Sequence, residues 1–213
     1  MKTSLIFFLF AFSLDVFSQA SCHSRAMQGK QQFNSLLPSY PKAHFFAPAG
    51  SSIEQDFLER IKNTLQDWEK ITRFNLSDVD INFVFGDFGY DTIAAVCHLT
   101  TTVLINSVRW RKISIDGSYP IKIDTARISL FHELVHISQN INQNLTSEDK
   151  KHYATTSKML EREKVAHFFE AFYFLQLYGA DTFFKYYFEK LTSYACPVKI
   201  TSSTSTSELN EMI

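Results

Sequence analysis

The stretch Asp124-Thr125-Ala126-Arg127-Ile128-Ser129-Leu130-Phe131-His132-Glu133-Leu134-Val135-His136-Ile137-Ser138-Gln139 decides how the rest of the chain is read. Asp124 or Thr125 can cap a helix that runs to about Gln139. Residues four apart on a helix project from one face, so His132 and His136 can aim both imidazoles at a single ion. That supplies two of the three protein ligands of a catalytic zinc site. Glu133 lies about 100° further round the helix. From there it can reach a water at the remaining position without ligating the metal. A carboxylate so placed takes the water's proton as the oxygen attacks a carbonyl, and can pass that proton to a leaving amine. Ile128, Leu130, Phe131, Leu134, Val135 and Ile137 cover most of the remaining circumference, and a helix apolar on most sides is buried. Ser129, His132, Glu133 and His136 then line a cleft. Two core histidines satisfied by backbone carbonyls would explain a lone imidazole, but they fit poorly a pair at this spacing with a glutamate between.

Working outward, Ser51 and Ser52 can cap an upstream helix with apolar residues at Ile53, Phe57, Leu58, Ile61, Leu65 and Trp68. Val79, Ile81, Phe83 and Phe85 read as a strand ended by Gly86-Asp87, with further β-like segments at Thr92–Cys97 and Thr100–Ile105. Downstream, 140–149 is polar and loop-like. A long helix runs from about Thr155 to Tyr178, Gly179 breaks it, and Asp181 can cap a last helix through Leu191. Residues 201–207 are only Thr and Ser, with nothing to bury. This order predicts one α+β domain over 51–196. A proline-punctuated lead-in precedes it at 21–50 (Pro38, Pro41, Pro48), and a Ser/Thr-rich tail follows at 197–213.

The chain has 213 residues, enough for one domain, and its 45% hydrophobic content with 21 Phe and 9 Tyr can fill a substantial core. A formal net charge of −1 carries no basic excess for nucleic acid and no acidic run for a disordered tail. Residues 1–20 read as a signal peptide: Lys2 opens it, Leu5 to Phe12 is apolar, and Ser18-Gln19-Ala20 offers a cleavage site. The mature protein is therefore expected to begin near Ser21 and to be secreted or periplasmic. The apolar run falls short of the roughly 20 residues a membrane span needs, so no stable span is expected. Gln19, three residues before Cys22, argues against lipid attachment there. Cys22, Cys97 and Cys196 permit at most one internal disulfide. Cys97 with Cys196 is the preferred pair because both flank apolar segments; three free thiols are the alternative. Asn75-Leu76-Ser77 and Asn144-Leu145-Thr146 are glycosylation sequons, meaningful in a eukaryotic host.

The residues His132-Glu133-Leu134-Val135-His136 resemble the active helix of the zincin metallopeptidases, and Gln139 after them is similar to several small bacterial members. The resemblance covers the motif helix and the long helix after it. It implies a small twisted sheet over the motif helix, bound Zn2+, and hydrolysis of a peptide or protein substrate with Glu133 as general base. It also implies an edge strand that binds the extended peptide by strand addition, for which Thr100–Ile105 is the candidate. The metzincin branch would place a glycine and a third histidine where this chain has Gln139 and Asn142. The gluzincin branch takes a glutamate from a later helix, and Leu160-Glu161-Arg162-Glu163 is the place for it. Glu163, His167 and Glu170 share a helix face, so Glu163 is preferred over Glu161 as third ligand. His167 and Glu170 become supporting or substrate-polarising residues; a solvated surface stripe is the other reading of the trio. Only Ala166 matches the Asp or Ala that commonly follows the gluzincin glutamate. Loop residues His152 and Tyr153 are expected in solvent, and Arg109-Trp110-Arg111-Lys112 is expected to be a charged turn. A zincin-like domain that binds zinc without catalysis, as an interaction module, is the competing function, and an intact Glu133 argues against it. A metal site that hydrolyses something other than protein is a third.

Overall fold

The computed structural model describes residues 19–88, 92–97, 100–111, 123–141 and 156–188. Alternating apolar residues build a sheet with one buried face, and here five strands do so. β1 (Lys30–Phe33), β2 (Ala43–Pro48), β3 (Ile81–Gly86), β4 (Ala94–Val96) and β5 (Thr102–Asn106) lie in the order β1-β2-β3-β5-β4. β2, β3 and β5 run parallel, while β1 and β4 pair antiparallel at the two edges. The register aligns Phe45, Phe83, Val103 and Val96 in one row across the sheet, and Phe85, Ile105 and Ala94 in the next.

Among the described residues five helices accompany the sheet, which makes the fold α+β: α1 (Gln19–Met27), α2 (Gln55–Thr72), α3 (Ser107–Arg111), α4 (Thr125–Ile141) and α5 (Thr156–Thr182). The core joins these strand rows to Phe57, Leu58, Ile61, Leu65 and Trp68 of α2 and to Leu130, Phe131, Leu134, Val135 and Ile137 of α4. Each such burial contributes on the order of 2 kcal/mol. α4 touches α2, α5 and β4, which is why nearly its whole circumference is apolar. Tyr173 of α5 stacks on Phe131 at 4.0 Å between ring centres.

Buried charge then fixes how α4 sits. Arg60 on α2 donates to the Trp110 carbonyl at 2.7 Å and pairs with Asp124, just ahead of α4, at 3.4 Å. Asp67 on α2 accepts from Arg127 of α4 at 2.5 Å and from the Tyr173 hydroxyl at 2.8 Å. Partners from three helices compensate one another's desolvation, so rotating α4 would break these contacts together with the apolar packing.

Several expectations need correction. The lead-in 21–50 is part of the fold, because it carries most of α1 and all of β1 and β2, and Phe45 is fully buried. Its prolines fall between β1 and β2 or on the last residue of β2, leaving Ala43-His44-Phe45-Phe46-Ala47 free to alternate. The disulfide joins Cys22 to Cys97, not Cys97 to Cys196, because α1 docks on the β4–β5 hairpin, where His23 Nδ1 also lies 2.8 Å from Thr102 Oγ1. Cys196 lies outside the described residues. The 100–105 segment is not an edge strand. β5 sits between β3 and β4 with Val103 and Ile105 fully buried, as suits an interior strand, and β4 holds the edge. Ser51 bonds Pro48 and helix α2 begins later, behind Glu54, whose side chain makes no cap. Residues 109–111 of the expected charged turn belong instead to α3, anchored by a fully buried Trp110, and Lys112 lies outside the described residues. Gly179, at φ 79° and ψ 169°, interrupts α5. The helical segment after that break passes into a π-helical turn over Phe183–Phe188. The expected signal segment up to residue 18, the loop with Asn144, His152 and Tyr153, and the tail lie outside the described residues. Among the described residues, no helix is long and apolar enough to cross a membrane.

Candidate metal centre

α4 presents His132 and His136 from successive turns, and α5 crosses beside them carrying Glu163. Nε2 of His132 lies 3.2 Å from Nε2 of His136. Glu163 faces both rings, with Oε2 3.3 Å from His132 Nε2 and Oε1 3.2 Å from His136 Nε2. A tetrahedral ion with bonds of about 2.0–2.1 Å keeps its ligands roughly 3.3–3.4 Å apart. These edges therefore fit a first-row metal without rearrangement. Glu161 is exposed on another side of α5.

The far nitrogens decide what the near ones carry. Nδ1 of His132 is 2.9 Å from Glu170 Oε2, and Nδ1 of His136 is 2.9 Å from Gln139 Oε1. Oxygen acceptors there draw the ring proton of each neutral imidazole to Nδ1. Both Nε2 lone pairs then converge with an anionic carboxylate on one point, an arrangement that calls for a cation.

Without a metal, protons meet that demand. Burial opposes the His132 cation, but Glu163 and Glu170 outweigh it and raise its pKa from 6.5 to about 10. Burial likewise pushes Glu163 up, and its bonds to His132 and His136 overcome that, holding it well below the usual carboxylate range. Glu170 behaves similarly: burial raises it, and His132 and His167 bring it down to about 2.

Glu133 differs. Burial of its carboxylate dominates and lifts its pKa to about 7, against the pull of His132 and His136. Oε2 accepts the Val96 N–H at 2.8 Å. Cys97 donates to Thr102 and Asn106 donates to Ile93 across the hairpin. Antiparallel alternation then turns the backbone groups of Ala94 and Val96 away from β5, toward the open edge. Glu133 is thus tethered to β4, the edge strand of the sheet among the described residues.

A second grouping shares two of these residues. His132, Glu163 and His167 each offer a ligand atom within 4.8 Å of the others, and they could hold a metal ion. That triangle is looser than the one through His136, whose edges are 3.2–3.3 Å. The His167 Nδ1 is also engaged by Glu170 at 3.0 Å. The tighter triangle is the better fit. Sequence reasoning did not foresee the Val96 N–H on Glu133 or the contacts of Arg162 with Gln139. Gln139 was legible as a neighbour three residues beyond His136, whereas Arg162 and Val96 meet the site only through tertiary packing. Comparison of the chain with protein-family models, with curated proteins and with solved structures finds no match.

Proposed function

We propose that the protein is a zinc-dependent peptidase of the zincin, gluzincin-like kind, with His132, His136 and Glu163 as ligands and Glu133 as general base. The single observation that carries this reading is the convergence of two Nε2 lone pairs and one carboxylate on one point, with Glu133 on the same helix beside them. Two imidazoles and one carboxylate are a donor set suited to zinc. Zinc bound there would act as a Lewis acid and bring the pKa of a bound water down to about 7. Glu133, with its own pKa near 7, is matched to accept a proton at neutral pH and to return it to the leaving amine. The Val96 N–H keeps its carboxylate oriented. The outward backbone groups of Ala94 and the Val96 carbonyl offer an extended peptide an edge to pair with. His167, exposed and held at Nδ1 by Glu170, flanks the triangle beside the His132 ring. A disulfide between Cys22 and Cys97 is at home in an oxidising compartment, which supports export.

The His167 grouping favours one other reading. Four ligands, His132, His136, Glu163 and His167, would close the site as structural zinc sites are closed, leaving a zinc-binding interaction module without activity. Metal content of the purified protein and cleavage of a peptide library with and without chelator decide between them. One zinc per chain and cleavage that stops on chelation and returns with zinc are expected. Zinc without cleavage of any peptide selects the closed module, and no stoichiometric zinc ends both readings.

Proton competition gives a further prediction. His132 must surrender its proton to ligate, so at pH 7–8 zinc uptake should release about one proton per ion and tighten as pH rises. Titration calorimetry in buffers of different ionisation enthalpy measures this, and a release near zero contradicts the assigned ligand. In the metal-free protein the sign reverses. A raised His132 pKa contributes stability that is complete below 6.5 and is lost as pH climbs through about 10. The thermal midpoint in chelator should therefore fall over that window.

A further inference from the structure

Arg162 is a buried arginine beside Glu163 that the proposed chemistry does not use. Its Nε donates to Gln139 Oε1 at 3.2 Å, and its own backbone carbonyl accepts from Gln139 Nε2 at 3.3 Å. The arginine thus holds both ends of one side-chain amide. The same Oε1 accepts from Nδ1 of His136 at 2.9 Å. Arg162 Nη2 also donates to Asn140 Oδ1, and Asn140 Nδ2 donates to the Thr100 carbonyl at 2.7 Å. One side chain therefore joins α5, the end of α4 and the turn that leads into β5.

An amide is nearly symmetric in shape and opposite in polarity at its two ends. Turned over, Gln139 would set its NH2 against the Arg162 Nε–H, donor against donor, and its oxygen against the Arg162 carbonyl. Removing the guanidinium leaves only the 3.3 Å contact to oppose that turn. A turned amide would donate to Nδ1 of His136 and move the ring proton to Nε2. The nitrogen facing Glu163 and His132 would then have no lone pair to give.

We propose that Arg162 is a tautomer lock: by gripping Gln139 from both ends it keeps the proton of His136 on Nδ1 and the lone pair of Nε2 at the metal position. The proposal rests on the metal reading above and assigns a positioning residue to it. Partners behind a metal ligand typically change metal affinity by about 10–100-fold, and Arg162→Met should weaken zinc binding by that much. Arg162→Lys, which keeps the charge and one donor, should fall between Arg162→Met and the wild type.

The decisive variant is the double change Arg162→Met with Gln139→Glu. A carboxylate presents an acceptor whichever way it turns, so no guanidinium is needed to orient it. Zinc affinity, measured by competition with a chromophoric chelator, should return to the wild-type value or above. Melting of each metal-free variant in chelator separates loss of fold from loss of affinity. If Arg162 only braces the helices, Gln139→Glu will raise zinc affinity no more in the Arg162→Met background than in the wild type, and the lock is wrong. Unchanged affinity in Arg162→Met also overturns it. Should Arg162→Met not fold, Arg162→Lys with and without Gln139→Glu gives the same comparison. A wild-type protein that binds no zinc sinks the metal reading and this one together, whereas zinc held equally by wild type and Arg162→Met sinks only the lock.

Discussion

Glu163→Gln should cost the protein its metal, with zinc affinity falling by more than the roughly 100-fold upper figure for an outer partner. The carboxylate touches both imidazoles, at 3.3 Å to His132 and 3.2 Å to His136, so its loss removes a ligand and the nearest negative charge at once. A carboxamide keeps the shape but is a neutral and poorer donor. It also presents an NH2 that must point at one of two nitrogens whose lone pairs are needed. Glu161→Gln is the control: its side chain is exposed on another side of the helix, and zinc affinity should not move. Dialysis against graded chelator followed by metal analysis reads both variants. If Glu161→Gln sheds zinc and Glu163→Gln retains it, the ligand assignment fails although the histidine pair survives.

The site was legible where its geometry is local. His132 and His136 are one helical turn apart, and Glu163, His167 and Glu170 are spaced to share one face, so periodicity alone could group them. Long-range pairing is not written locally, and there the reading went astray. Nothing in Ala43 to Ala47 says that this short run lies between two other strands, and the flanking prolines suggest the opposite. The edge strand was misassigned for the same reason. Thr100–Ile105 is the stronger β segment, but strength of pattern goes with an interior position; three-residue β4 takes the edge beside α4. Cys22 could not be matched to Cys97 without knowing that α1 docks on that hairpin. The Val96 contact to Glu133 depends on all three placements. It could not be foreseen from a motif whose five residues fix only one helix.

That contact makes Glu133→Gln the sharper test of mechanism. Glutamine preserves the length of the side chain, and its carbonyl can still accept the Val96 N–H at the 2.8 Å position now held by Oε2. The carboxylate does not touch His132, His136 or Glu163 through any of the bonds that shape the triangle, so zinc should stay bound with near wild-type affinity. What disappears is the carboxylate proposed as proton acceptor. A group whose pKa is lifted to about 7 by burial shuttles protons near neutrality, and glutamine cannot. General acid–base groups contribute about 10²–10⁴-fold, and kcat/KM on any peptide the wild type cleaves should fall by at least that order. The pH profile carries the same information, since the acidic limb set by this carboxylate should vanish from whatever residual activity remains. Full activity in a zinc-loaded Glu133→Gln protein would remove Glu133 from the chemistry. Loss of zinc in that variant would instead mean that the residue serves the metal, and the division of labour between the histidine triangle and the edge-tethered glutamate would have to be redrawn.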